Sequence, residues 1–437
     1  MRFSSRRRVP LGALSFAGCA SLGLFVAACS GAESTPPPPP VDGGRLDQRV
    51  DAGGDLGHDS AVDMAQLDAG GDAGMLECQV EAAEMLGSET ALVLQRIAIA
   101  HRENDFAIVF RERRATFDDL WVRVYRDTPD GVMAGSDFPI TTDAGGSAVS
   151  SVSRDPVVVG TSTGYLAAWI DNREMGFEMW TRTLDEDGVP GTALQRVTTS
   201  VGAASSPALA SDANGALLAG HIHDDTQSGT TREWNVAALG ATGATTSAWT
   251  RASDAAELTS QGALVAGQEG GFLSGWLDAA GNARVRTISA AGAPTGTAVT
   301  HLTAEALGLD AFVLVFARNE GFDAIRAQAI AVSGSTDGLV RSALPADATG
   351  RDPSVAPLLG GVVVAYRQTT AMGTHVALAL LNSRGELSQT VVLGETTTTG
   401  GPISVAVNNE GRIRLAWAEV DAGTTTTYTQ AVVCAQP

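Results

Sequence analysis

"GPISVAVNNEGRIRLAW", residues 401–417, holds a short β-branched run, an Asn-Asn-Glu-Gly turn and a second apolar run that ends on a bulky ring. Two extended segments joined by a tight turn is its simplest reading, since Ile and Val fit strands and Gly supplies the turn backbone. The second run has six counterparts: "FAIVF" (106–110), "YLAAW" (165–169), "ALLAG" (216–220), "FLSGW" (272–276), "FVLVF" (312–316) and "VVVAY" (362–366). From the first copy to "IRLAW" (413–417), their last residues are 59, 51, 56, 40, 50 and 51 positions apart. Each run follows a short segment and a turn, as in "SSPALASDANG" (205–215) and "RDPSVAPLLGG" (351–361). A further β-rich run follows each copy, and an apolar residue four before glycine recurs at Leu184/Gly188, Leu239/Gly243, Ile288/Gly292 and Leu381/Gly385.

Strand, turn, strand, loop, strand, turn, strand at this period is the order of a four-stranded propeller blade. Helical periodicity over a dozen residues is missing, and only "AAEMLGS" near 82–88 looks briefly helical. A four-stranded sheet cannot cover both of its faces alone, so such units bury them by stacking around an axis. The expected fold is all-β, a seven-bladed β-propeller. Six blades are possible, because Gly220 stands in the bulky place of the third copy and the first and fifth copies are irregular. A series of immunoglobulin-like sandwiches is the structural alternative. Trp169, Trp276 and Trp417 occupy equivalent places and are expected to pack between blades.

The repeats resemble bacterial propeller modules in architecture only. The marks of WD40 and kelch blades are missing, and "SDANGALL" (211–218) does not match the sialidase S-x-D-x-G-x-T-W box.

At the N-terminus, Arg2, Arg6, Arg7 and Arg8 precede an apolar segment from Leu11 to Ala28 broken by Pro10, Gly12, Gly18 and Gly23, the layout of an export signal. Its end, Val26-Ala27-Ala28-Cys29, resembles the lipobox of bacterial lipoproteins. The resemblance implies cleavage after residue 28, lipid attachment at Cys29 and a membrane partner. Ser30, where the family's retention signal would be Asp, implies the outer membrane. The chain then divides into 1–28, a signal peptide; 29–77, a lipidated linker; and 78–437, the propeller domain. Within the linker, "PPPPP" (36–40) favours a stiff extended conformation. The linker continues with Asp42, Asp47, Asp51, Asp55, Asp59, Asp63, Asp68 and Asp72 among Gly and Ala, without the D-x-D-x-D-G spacing of a calcium loop. A solvated, self-repelling, disordered tether is expected.

With Cys19 in the signal and Cys29 lipidated, Cys78 and Cys434 remain, one at each end of the body. In an oxidising compartment they are expected to form a disulfide, and a closed ring explains why such distant ends meet. "SETALVLQ" (88–95) is expected to complete the last blade.

A net charge of −20 argues against nucleic acid as a partner. Binding residues favour loops on a rigid scaffold, here the connections between second and third strands. Charge gathers in "RERRATFDD" (111–119), "DNREMG" (171–176) and "HIHDDTQSG" (221–229), with "RNEGFD" (318–323) a lesser case. Arg113, Asp171, Arg173, His223, Asp224 and Arg318 are the candidate ligand-face residues. His221 and His223 with Asp224 and Asp225 supply too few converging ligands for a metal. No catalytic residue, cofactor motif or metal site is assigned: G-x-S-x-G is missing, and no helix pattern follows the glycines of "GQEGG" (267–271). The expected function is a lipid-anchored binding scaffold for a protein or glycan, with a monomeric body. A propeller-type glycan hydrolase or lyase is the alternative.

Overall fold

The computed structural model describes residues 76–435 apart from 90–95, 115–116, 129–130, 143–152, 175, 200–201, 225–231, 255–258, 260, 267–270, 304–305, 310–312, 320–322, 331–338, 347, 359, 372 and 396–399. Cys29, the signal segment and nearly all of the linker lie outside the described residues. All elements among the described residues are strands.

These strands form seven antiparallel sheets, five with four strands and two with five. In all but the last sheet, order in space follows order in sequence; in the last, Glu77–Val80 and Glu84–Glu89 lie outside the C-terminal strand. Blade 2 runs Ser153–Thr161, Gly164–Asp171, Glu178–Leu184 and Pro190–Arg196. The first strand of each sheet contacts the first strand of the next, and Ser404–Val407 of the last sheet contacts Ala98–Arg102 of the first. This is a closed β-propeller arrangement.

Seven hydrophobic clusters lie at the seven interfaces between successive sheets. One joins Val109 and Val122 to Trp169 and Tyr165, between blades 1 and 2. Another joins Phe106 and Tyr125 to Ala406, Ala416 and Ala418, between blades 1 and 7. Second strands are therefore sandwiched on both faces, and Gly164–Asp171 and Phe272–Leu277 are buried at every position. That burial is why the sequence shows continuous apolar runs there rather than alternation. Trp169, Trp276 and Trp417 all belong to interface clusters.

The third copy is a full sheet, shifted by one residue in its bulky position. Val157 follows Arg154 across a bulge opposite Trp169, and Ala208 follows Ser205 across one opposite His221. His221, not Gly220, thus stands where Trp169 stands. Gly220 instead receives the Trp234 ring, which would lie 2.5 Å from any Cβ added there. These bulges, and a third opposite Tyr366, carry Asp155, Ser206 and Asp352 at φ of 52°, 48° and 56°, each just before a proline. Proline brings no N–H to a point where the ladder is already interrupted.

The recurrent glycine has a contact to make as well as a turn. Gly188, Gly243 and Gly292 have φ between 78° and 84°, and each meets the third strand of the preceding blade: at Val124, Thr181 and Ala238. A Cβ on Gly188 would sit 2.9 Å from Val124 Cγ2, whereas one on Gly215 (φ 81°) meets nothing within 4 Å. Gly188→Ala is expected to cost about 2–3 kcal/mol and Gly215→Ala about 1 kcal/mol, the difference being the blade contact. Urea unfolding of the two variants measures it.

Closure uses the N-terminus. Glu77–Val80 pairs with the end of Thr424–Ala435, placing Cys78 opposite Cys434, and the two form a disulfide. Glu84–Glu89 pairs with residues 425–429 of the same strand. The completing strands therefore begin before residue 88. Most of 82–88, the stretch of helical composition, is the strand Glu84–Glu89, because the open edge of the last blade offers ladder hydrogen bonds that outweigh a weak local helix preference.

Candidate functional site

Asp171 ends the second strand of blade 2 and is fully buried, at 0% exposure. Ser153 Oγ donates to Asp171 Oδ2 at 2.8 Å, Trp169 Nε1 donates to it at 3.3 Å, and the Arg173 backbone N–H donates to Oδ1 at 2.8 Å. The Arg173 guanidinium donates to Oδ2 at 2.7 Å and to the Thr141 carbonyl at 3.0 Å, and stacks 4.8 Å from the Trp180 ring. Burial pushes the Asp171 carboxyl up, but bonds from Arg173 and Ser153 outweigh it and hold the pKa below 3.8. The two residues form one buried brace that ties blade 2 to the strand connection entering from blade 1.

In blade 3, Asp224 pairs with Arg232 at 3.1 Å across its own hairpin. His223 is half-buried beside it, with its ring 6.3 Å from that of His221. The side chains of Arg113 and Arg318 and all of Asp225 lie outside the described residues. The backbones of Arg113 and Arg318 stand opposite Asp118 and Ala324. The structure thus unites Asp171 with Arg173 and Asp224 with Arg232, each pair within a single blade. No group of three His, Cys, Asp or Glu side chains is arranged for a metal among the described residues.

A repeated polar seal lies along the same connections. Thr141 Oγ1 donates to Asp119 at 2.9 Å while accepting from the Leu120 N–H. Thr198 Oγ1 likewise donates to Glu178 and accepts from Met179 N–H at 2.8 Å, and Ser253 Oγ accepts from Trp234 N–H at 3.0 Å. Its signature in the sequence is an apolar residue followed by Thr or Ser after the outer strand: Ile140-Thr141, Val197-Thr198, Ala252-Ser253. The signal is too short to stand out before the strands are aligned.

His221 is 3% exposed and meets the Trp249 ring edge-on at 4.3 Å. Burial, with a smaller push from His223, lowers its pKa from 6.5 to about 3. The imidazole therefore stays neutral in the fold, whereas an unfolded chain takes up the proton near pH 6.5. Between those values the unfolded state binds more protons, so stability falls as pH falls, by ~1.4 kcal/mol per pH unit from this group at most. His221→Phe is expected to flatten the acid limb of a melting-temperature profile between about pH 6.5 and pH 4. An unchanged limb would assign the acid sensitivity to another group, with His101, also lowered by burial, next in line.

A cleft of ≈ 130 Å³ opens where blade 7 meets blade 1, lined by Glu81, Glu84, Tyr125, Val132, Arg414 and Gln430 among others. The lining residue Glu84 accepts from Arg123 at 2.8 Å, and Arg123 also donates to both oxygens of Asp137 at 2.6 and 3.1 Å. Burial pushes the Tyr125 hydroxyl above its usual range, so it remains protonated. None of the candidate ligand-face residues lines this cleft. No sequence pattern announces it, because its walls come from residues about 300 positions apart.

No protein-family profile and no curated protein sequence matches the chain. Among solved structures, it is similar to a protein of unknown function from Dyadobacter fermentans DSM 18053, with 11% identity and a TM-score of 0.46 over 80% of this chain and 98% of that one. It is also similar to polysaccharide lyase Uly1, with 9% identity and a TM-score of 0.48 over 78% of this chain and 90% of that one. A third similarity is to Trypanosoma rangeli sialidase, with 10% identity and a TM-score of 0.44 over 77% of this chain and 54% of that one.

Proposed function

We propose that the chain is a bacterial lipoprotein, fastened through Cys29 to the outer membrane, whose propeller serves as a scaffold that binds a protein or glycan at the cell envelope. The observation that carries the scaffold reading is that every interface of the ring has its own hydrophobic core. Such a frame holds its connections rigidly while leaving them free to differ in length and charge, as they do here. The anchor reading is supported by the signal layout and the Val26-Ala27-Ala28-Cys29 box.

Expression in a host that processes lipoproteins, with mass spectrometry of the mature N-terminus, tests the anchor. A diacylated Cys29 and loss of membrane fractionation in Cys29→Ser are expected. An unmodified N-terminus overturns it. The full chain applied to a glycan array and to envelope extracts tests the scaffold. Saturable retention without turnover supports it, and release of shortened glycan products from a polysaccharide panel assigns an enzyme instead.

A further inference from the structure

We infer that the cleft between the last and first blades is a binding site for a carboxylate-bearing ligand, with the Arg414 guanidinium as its anchor. This site is separate from the loop connections and does not depend on the scaffold or anchor readings.

Arg414 is 3% exposed and lines the cleft. Its guanidinium stacks 4.2 Å from the centre of the Tyr125 ring and 5.7 Å from that of Phe106. Among the described residues it has no side-chain hydrogen bond and no carboxylate within 4.0 Å, and its Nε is sealed from solvent without a partner. Two other buried arginines have acceptors for their guanidinium groups. Arg182 donates to the carbonyls of Gly191, Ile140 and Thr142, and Arg367 to those of Gly401 and Ala418. A buried cation that lacks acceptors is costly to keep. Arg414 bears this cost while facing a cavity.

Three carboxylates act on Arg414 through space: Asp127, Glu81 and Glu84. Two of them are held by other groups. Glu84 is paired with Arg123 at 2.8 Å, and Asp127 accepts from Asn408 at 2.9 Å with Arg412 at 3.6 Å. Their fields lower the affinity for a dianion such as phosphate more than for a monoanion. A planar guanidinium, oriented by stacking on an aromatic ring, matches a planar carboxylate through two parallel N–H···O bonds. Only a small group fits within ≈ 130 Å³, so the ligand is either a free short-chain acid or the carboxylate of a uronic acid residue.

Calorimetric titration of the full chain with sodium acetate and sodium glucuronate, at fixed ionic strength with chloride and glucose as controls, tests the site. Saturable binding in the millimolar range is expected for at least one carboxylate and neither control. Tighter glucuronate binding identifies the sugar acid as the source, and equal or tighter acetate binding identifies the free acid. Arg414→Gln is expected to weaken binding at least roughly tenfold. Glu84→Gln, at an exposed lining residue, is expected to strengthen it about two- to fivefold by removing a like charge, and it decides the matter if Arg414→Gln does not fold. Absence of saturable heat with both carboxylates overturns the inference, as does binding that the folded variants leave unchanged.

Discussion

Cys78→Ser is expected to lower the unfolding free energy by on the order of 5 kcal/mol, the largest single loss in the molecule. The bond spans 356 positions, so its removal returns nearly the whole conformational freedom of the body to the unfolded chain. It also sits in a β ladder that holds by four residue pairs, Glu77 to Val80 against Ala435 to Val432. Without the sulfur link, that short ladder and the pairing of Glu84–Glu89 with residues 425–429 must hold the edge of the last blade. The Asn408 to Asp127 and Asn104 to Glu410 hydrogen bonds, at 2.9 and 2.7 Å, still join blade 7 to blade 1. The ring is therefore expected to stay closed in Cys78→Ser at low denaturant and to unfold at a lower urea midpoint. A midpoint shift worth less than about 1 kcal/mol would show that the non-covalent join carries the closure by itself.

The second large effect is at blade 2. Asp171→Ala is expected to cost roughly 3–5 kcal/mol, because it leaves the buried Arg173 guanidinium without its counter-charge and removes the acceptor of both Ser153 and Trp169. Since the folded carboxyl titrates below 3.8, its contribution is present above that pH and is lost as pH falls through the folded value. Asp171→Ala/Arg173→Met is expected to recover part of the loss, as it removes the uncompensated charge. Thermal unfolding of the three variants reads this directly. An Asp171→Ala protein as stable as the parent would return Asp171 to the role of a group held ready for a ligand.

Much of the fold is legible in the residues because a propeller repeats one physical problem. A second strand covered on both sides must be apolar throughout, and "YLAAW" and "FLSGW" announce that. The disulfide is legible because a ring is one architecture that brings the two ends of a long chain together. Gly220 misleads because a glycine in a bulky column looks like a missing blade. It is instead a vacancy filled from the adjacent strand by Trp234, and no linear pattern reports such an exchange. Residues 82–88 mislead for a related reason: their partner strand lies some 340 positions downstream, so local preference carries no weight. Asp171 and Arg173 are visible as charges, yet whether charges face solvent or each other depends on the depth of the hairpin that bears them. Arg414 gave no signal at all. It sits in an ordinary "GRIRLAW" strand and acquires its character only from the ring of Tyr125 on the other side of the join.

The position of Cys78 also settles how the body answers a pull. Residue 76 leads into the strand that carries this cysteine, so tension arriving from upstream reaches sulfur within two residues and crosses to the C-terminal strand. The step from Cys78 to Cys434 stays within one sheet. Resistance to dragging at that end is thus set by a covalent link rather than by the ladder, and a reducing environment would convert a firm handle into one that peels.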